Sequence, residues 1–281
     1  MSDINAISVI LNDNGLEIHG FCPFSAVKDH LLPCRAAESI ESVNLKTIII
    51  CAFPYRREES EIIFEHGTAR LAKFACVPDY HITAGAVLQS ACSSLSEKYP
   101  MNIFLSFIDN SPIPEVSTAA AAGLGIIGRH GLLIHPKYGS WLVLGSILTD
   151  LYLPVAAIET SGCIECGKCS LACPGGCIGG DKKALCASRL TQKKGDLTEN
   201  ELTTIRGSGL AWGCDTCQNV CPINDNSVAA PHKCFGNSGD FVPVLTRKVI
   251  DTYTDRVFQW RGTEVLYRNI AIFSDEKEVN Q

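Results

Sequence analysis

Apolar residues gather along the chain in three short runs, each bounded by polar or turn-forming residues. Leu45–Phe53 (LKTIIICAF) is rich in β-branched residues and stops at Pro54, the pattern of a buried strand. Met101–Ile108 (MNIFLSFI) and Ser140–Leu148 (SWLVLGSIL) have similar length and character. Between the first two lie Glu61–Ala75 (EIIFEHGTARLAKFA) and Ile82–Tyr99 (ITAGAVLQSACSSLSEKY), whose length and Ala, Leu and Ser content predict helices. Ser117–Gly123 (STAAAAG) reads as a shorter helix stopped by glycine. Strands alternating with helices predict an α/β (α+β) core domain over residues 1–153. After Leu153–Pro154 the chain turns abruptly to Cys, Gly and Lys in short segments, which predicts a second module over 154–235. The remainder, 236–281, is expected to pack back on the core, with a frayed polar end (SDEKEVNQ).

Composition narrows the class. The chain has 281 residues, 46% of them hydrophobic, and a formal net charge of −6. It does not open with a basic stretch followed by an apolar run, and no apolar stretch approaches the ~20 residues that span a bilayer, so a soluble, cytoplasmic protein without membrane contact is expected. Fifteen cysteines in such a chain favour metal or redox use over a disulfide framework, because cytosolic reductants keep thiols free. The acidic balance argues against a surface wholly devoted to nucleic acid. Lys182, Lys183, Arg189, Lys193 and Lys194 are a local basic exception, and the competing reading for them is a solvated loop.

Cys163, Cys166, Cys169 and Cys173 are spaced C-x2-C-x2-C-x3-C and followed by Pro174. In bacterial ferredoxins such a run gives three thiolates to one [4Fe–4S] cluster and its fourth to another. A partner run must therefore exist, and Cys214, Cys217 and Cys221, spaced C-x2-C-x3-C and followed by Pro222, supply it. By this crossing rule Cys163, Cys166, Cys169 and Cys221 hold one cluster, and Cys173, Cys214 and Cys217 hold three corners of the other. Candidates for the remaining corner are Cys177, Cys186 and Cys234. Cys177 stands only four residues past Cys173, beyond a Pro-Gly-Gly turn, and Cys234 is far from both runs, so Cys186 is the expected ligand. Zinc would require two closed tetrahedral sites and explains neither the prolines nor the x3 spacings. Cys22, Cys34, Cys51, Cys76 and Cys92 stand in apolar surroundings and read as inert core thiols. Clusters with four protein ligands carry electrons and have no open position for substrate. The module thus belongs either to a plain electron carrier or to a reductase whose activating cofactor sits in the core domain.

Ala122–Gly128 (AGLGIIG) contains G-x-G-x-x-G, but it follows an alanine-rich helix, whereas a dinucleotide fingerprint follows a strand and opens a helix. A helix stop and a loop whose bare backbone approaches a large ligand fit better. Asp109, in FIDNSP, ends a predicted strand and is a candidate acid, although Asp-Asn-Ser-Pro is also an ordinary turn. Asp79-Tyr80-His81 nearly reproduces a cobalt-ligating D-x-H-x-x-G motif, but Ala84 occupies its glycine position; His81 is read as a pocket or structural residue.

The order of FIDNSP, AAGLGIIGRHGLLIHPKYGSWLVLGSILTD, CxxCxxCxxxCP and GCDTCQNVCPIN, with PDYH (Pro78–His81) upstream and RGTEVLYRNIAI (Arg261–Ile272) downstream, resembles the epoxyqueuosine reductase family. The resemblance covers most of the chain. It implies a corrinoid-binding core domain followed by the bacterial-ferredoxin-like two-[4Fe–4S] module, and a cobalamin-dependent reduction of epoxyqueuosine to queuosine in tRNA. Asp109 matches the family's catalytic acid, and burial under the macrocycle would raise its pKa for proton donation. Leu133, Ile134, His135, Gly139, Ser140 and Trp141 fall in the segment that lines the corrin, while His130 and His135 could equally be backbone-bonded histidines. Cys186 matches the residue completing the second cluster. An external electron donor of ferredoxin or flavodoxin type and a monomeric state are expected. The sequence departs from the family where it ends soon after Ile272, short of helical repeats that help to hold tRNA. In addition, ASRLTQKK (Ala187–Lys194) stands for S-Y-L-T-I-E and PGGC (Pro174–Cys177) for P-T-G-A. These departures weaken the expected tRNA contact. They keep two other readings open, a paralogous cobalamin-dependent reductase of another substrate and a non-catalytic two-cluster electron-transfer protein.

Overall fold

The most apolar run in the sequence becomes the centre of a sheet. The structure, a computed structural model, describes residues 3–58, 68–160, 162–180, 183–236, 241–246 and 250–274. The chain divides into two units, Met1–Pro54 with Tyr80–Ile164, and Tyr55–Asp79 with Glu165–Gln281. In the first, α1 (Asp3–Asp13) and β1 (His19–Pro23) precede β2 (Thr47–Pro54), whose eight residues are all buried. The chain then leaves for β3 (Thr68–Leu71), which belongs to the second unit, and returns with α2 (Tyr80–Lys98), β4 (Phe104–Ile108), α3 (Glu115–Ala121), a short β5 (Ile126–Ile127) and β6 (Leu133–Ile134) hairpin, and β7 (Leu142–Thr149).

The sheet order is β1-β2-β7-β4 with every pair antiparallel, so the α+β half of the expected fold class describes this unit. Alternation along β2 divides its residues between two covered faces. Ile50 and Ala52 pack with Ala119 and Ala120 of α3. On the other face, Phe53 and Leu88 of α2 both crowd the space over Gly145. Coverage on both faces accounts for a strand with no polar alternation.

In the second unit β3 lies between β8 (Leu210–Trp212), to which it is parallel, and β9 (Val244–Thr246), to which it is antiparallel. The helix expected over Glu61–Ala75 is therefore not formed at residues 68–71. There, pairing with two distant strands overrides a helical composition; residues 61–67 lie outside the described residues. Short helices α4 (Lys168–Ala172), α5 (Ala187–Leu190), α6 (Glu199–Ser208) and α7 (Thr216–Asn219) carry the cysteine segments and their supports, and α8 (Thr263–Ser274) closes the unit. α6 starts with a capping box, in which the Thr198 hydroxyl accepts from the Glu201 N–H and the Glu201 carboxylate accepts from the Thr198 N–H. The C-terminal segment groups with β3, itself within residues 1–153, and with the cluster segments, where α8 contacts β3 and β8.

Candidate functional site

β4 ends at Ile108, and the chain breaks sharply at Asp109, which adopts a φ of 60°, a conformation few side chains other than Asp and Asn tolerate. Tight bonds from Asn110 N–H to Ile108 O (2.7 Å) and from Ser111 N–H to Asp109 O (2.8 Å) hold the turn. The Asp109 carboxylate faces outward and is 61% exposed, while His81, on the first turn of α2, places its Nε2 3.2 Å from Oδ2. Tyr80 stacks on the same imidazole at 4.2 Å. The desolvation expected for a proton-donating Asp109 is therefore not supplied by the protein's own fold. Burial acts on a neighbour instead: Glu115 is pushed well above the usual carboxyl range by desolvation and, next, by the Asp109 charge, and its Oε1 is buried without a hydrogen-bond partner.

The segment matching the family's corrin lining separates into core and rim. Leu133 (3% exposed) packs with Ile50, Ala52, Ala119, Ala120 and Leu124, and Ile134 (2%) pairs with Ile126 in the hairpin. Gly139, Ser140 and Trp141 are also buried, so five of the six residues lie in the protein's own interior. His135 is half-buried at a bridge to Gly139, and its Nδ1 accepts from the Lys137 N–H at 3.0 Å. His130 repeats the arrangement, its Nδ1 accepting from the Leu132 N–H at 3.2 Å. Both rings are held below the usual histidine pKa by burial, His135 also by Lys137. A neutral ring that accepts at Nδ1 carries its proton on Nε2, which makes each a donor; that of His130 is buried and has no partner.

The glycines of AGLGIIG answer to the chain itself. A Cβ on Gly125 would stand 2.2 Å from the Ile134 carbonyl oxygen, and one on Gly128 would stand 2.5 Å from the His130 ring. Close packing of the β5–β6 hairpin requires them.

Thiols gather in the second unit. Gly176 N–H returns to the Cys173 carbonyl at 3.0 Å, which turns the chain back on itself after Pro174 and brings Cys177 Sγ to 3.2 Å from Cys173 Sγ. That distance is far beyond the ~2.05 Å of a disulfide. Burial opposes ionisation of Cys173, but hydrogen bonds from Cys177 and from the Gly175 and Ile178 N–H groups outweigh it and hold the pKa low. Cys177 is pushed up to about 12 by burial, then by its bond to Cys173 and by the charges of Cys173 and Cys186. Cys217 is likewise pushed up to about 12, by burial and then by Cys214, Cys173 and Cys186, and Cys214 is raised by burial, with Cys186 contributing. The structure thus brings Cys173, Cys214, Cys217 and the expected Cys186 together, and adds Cys177, which the sequence reading set aside. The signal for it was present in the Pro-Gly-Gly turn. Cys166 is exposed and Cys169 and Cys221 are buried, while Cys234 is half-buried. Among the described residues no three His, Cys, Asp or Glu side chains converge on a single metal ion. A cubane makes a different demand, since it places each thiolate on its own iron.

Buried polar residues hold this nest. Cys186 caps α5, and at the far end of that helix Thr191 accepts from the Gly213 N–H at 2.9 Å, tying the Cys186 segment to the one that starts at Cys214. Asn269 of α8, fully buried, donates to the carbonyls of Thr191 and Ala211, both at 2.7 Å. Buried Asp215 accepts from the Lys73 N–H at 2.8 Å. On the outer side of Cys186, a concavity of about 800 Å³ is lined by Arg189, Lys193, Lys194 and Arg261, with Glu201 bound to Lys193 at 2.7 Å. Lys182 lies outside the described residues. Of the five cysteines read as core thiols, Cys22, Cys51, Cys76 and Cys92 are buried, and Cys34 is partly exposed. Burial raises Cys51, and raises Cys92 to about 11, which keeps both protonated and inert. Among the described residues no helix is long and apolar enough to cross a membrane.

Residues 162–224 match the family described as a 4Fe-4S double cluster binding domain. The chain is 28% identical over 278 residues to the epoxyqueuosine reductase of Listeria monocytogenes, an alignment covering 94% of this chain and 73% of that protein. The structure of epoxyqueuosine reductase from Streptococcus thermophilus superposes with a TM-score of 0.80 at 24% identity, over 97% of this chain and 80% of that one. An epoxyqueuosine reductase solved with an epoxyqueuosine-modified tRNA-Tyr stem loop superposes with a TM-score of 0.79 at 23% identity, over 96% and 80%. These two likenesses are of fold.

Proposed function

We propose that the chain belongs to the epoxyqueuosine reductase family, whose Listeria monocytogenes member it matches at 28% identity over 94% of this chain, and that it is a cobalamin-dependent iron–sulfur oxidoreductase that reduces epoxyqueuosine to queuosine in tRNA. The observation that carries this reading is the pairing, in one chain, of a double-cluster segment with an exposed carboxylate on a strained turn against an imidazole. An electron carrier alone has no use for the second feature.

Cys163, Cys166, Cys169 and Cys221 hold one cluster and Cys173, Cys186, Cys214 and Cys217 the other, in the division that their spacing demands. Cobalamin would be held in the first unit by the rim of the corrin segment. The Nε2–H group of His135 is a donor suited to the amide side chains of a corrin. When bound, cobalamin would supply a strongly reducing metal centre for opening the epoxide carbon–oxygen bond. Converting an epoxide to an alkene takes up two electrons and two protons and releases water. Asp109 gives a proton to the departing oxygen, and a hydrophobic macrocycle above it would provide the desolvation that the protein leaves undone. His81 orients that carboxyl group. Arg189, Lys193, Lys194 and Arg261 offer phosphate contacts to the tRNA.

The test is anaerobic incubation of the reconstituted protein with cobalamin, a chemical reductant and epoxyqueuosine-containing tRNA, followed by mass analysis of the digested nucleosides. Loss of one oxygen from the modified nucleoside is the expected result. Unchanged epoxyqueuosine beside an EPR spectrum of protein-bound base-off cob(II)alamin would keep the corrinoid and overturn the substrate. An EPR spectrum identical to that of free cob(II)alamin would overturn the corrinoid itself.

A further inference from the structure

The second cluster is surrounded by more thiols than it has irons to bind. Cys173, Cys186, Cys214 and Cys217 complete its four corners, and Cys177 is a fifth thiol within the same nest, its sulfur 3.2 Å from that of Cys173. Resting on the two-cluster reading above, we infer that Cys177 and Cys173 are interchangeable ligands for one corner of the second cluster.

Two features of the turn favour exchange over chance proximity. The first is how the chain returns. Cys173-Pro174-Gly175-Gly176-Cys177 closes on itself through the Gly176 N–H, and Gly176 takes a φ of 57° that a side chain would disfavour. The second is where the turn sits. A Cβ on Gly175 would stand 1.9 Å from the Leu185 carbonyl oxygen, so the turn lies against the backbone just before Cys186. This contact sets the Cys173–Cys177 pair against the segment that leads into Cys186. With its sulfur 3.2 Å from that of Cys173, Cys177 would be within reach of an iron that Cys173 would otherwise hold.

The exchange changes no oxidation state. One iron–sulfur bond to Cys177 forms as the bond to Cys173 breaks, and the proton that leaves Cys177 is taken up by Cys173. Neither an oxidant nor an additional metal is needed. The consequence is a corner that survives loss of either thiol, whereas the corners held by Cys214 and Cys217 have no second thiol 3.2 Å away among the described residues.

The experiment compares the wild-type protein with Cys173→Ala, Cys177→Ala, the double variant and Cys217→Ala. All are reconstituted anaerobically and assayed for iron and acid-labile sulfide, with EPR of the reduced state. Wild type with the full iron of two cubanes establishes the premise, and any lower complement overturns the two-cluster reading itself. Given that premise, each single variant at 173 or 177 is expected to keep the full complement. The 173 variant should show an altered signal from the second cluster, and the double variant and Cys217→Ala should each fall by about half. Loss of half the iron in Cys173→Ala alone, with the protein still folded by circular dichroism, overturns the exchange. The same loss in Cys177→Ala alone overturns it too, by making Cys177 an obligatory ligand. Should Cys173→Ala not fold, Cys173→Ser with the same iron assay decides between these results.

Discussion

His81 Nε2 and Asp109 Oδ2 are 3.2 Å apart, joining the first turn of α2 to the residue at which β4 ends. The contact fixes the direction of a carboxylate whose backbone is already confined to a narrow conformational region. Replacing Asp109 with Asn keeps both the positive φ and the shape, because Asn also tolerates that region. Turnover of epoxyqueuosine tRNA should fall by on the order of 10²–10⁴-fold in Asp109→Asn, with cobalamin still bound by its EPR spectrum. Activity close to wild type would remove Asp109 from the chemistry.

If His81 acts through Asp109, as proposed, its loss should affect rate more than binding. His81→Ala is expected to lower kcat by about 10-fold with little change in KM, and His81→Gln, which keeps a donor near the same place, should recover part of it. Equal losses in both variants would point to a structural role for the ring.

Glu115 ties stability to pH. Its folded pKa is raised by burial and the Asp109 charge, so folding favours the protonated form. The stabilisation is complete below the unfolded carboxyl value and is lost as pH rises toward the folded value, at no more than about 1.4 kcal/mol per pH unit. Glu115→Gln should be less sensitive to pH than wild type across this window in urea titrations run from acid to neutral pH. Parallel pH profiles for the two proteins would show that Glu115 is ionised in the fold.

Asn269 holds two carbonyls from different segments. Asn269→Ala leaves Thr191 O and Ala211 O unpaired in a dry interior, at about 2–4 kcal/mol. The urea midpoint should fall correspondingly, and iron content after reconstitution should fall with it, since Cys186 and Cys214 border the segments it joins. A shift below about 0.5 kcal/mol would mean that water replaces the amide.

Gly175 has no room for a side chain. Gly175→Ala should push the turn off the Leu185 backbone, which forms the approach to Cys186, and lower second-cluster iron while leaving the first cluster in place. Unchanged iron and an unchanged EPR signal would show that the Leu185 segment gives way without cost.

Local features were legible because their information is local. The runs around Ile48–Phe53, Leu105–Ile108 and Leu142–Leu148 are strands, the first of them β-branched and buried on both faces, and the C-x2-C spacings carry their meaning along the chain. What lay beyond the sequence depended on partners far away in it. Thr68–Leu71 is a strand only because β8 and β9, over 130 residues later, pair with it. Leu133 packs into the core cluster around Ala119 and Ala120, residues of a helix that its own short segment does not announce. Cys177 looked too near to Cys173 to matter until the Pro-Gly-Gly turn reversed the chain and set two thiols side by side. Spacing determines which groups can meet along a single turn. Which of them face one another, and how much water remains between them, is decided by the packing of segments that the sequence keeps apart.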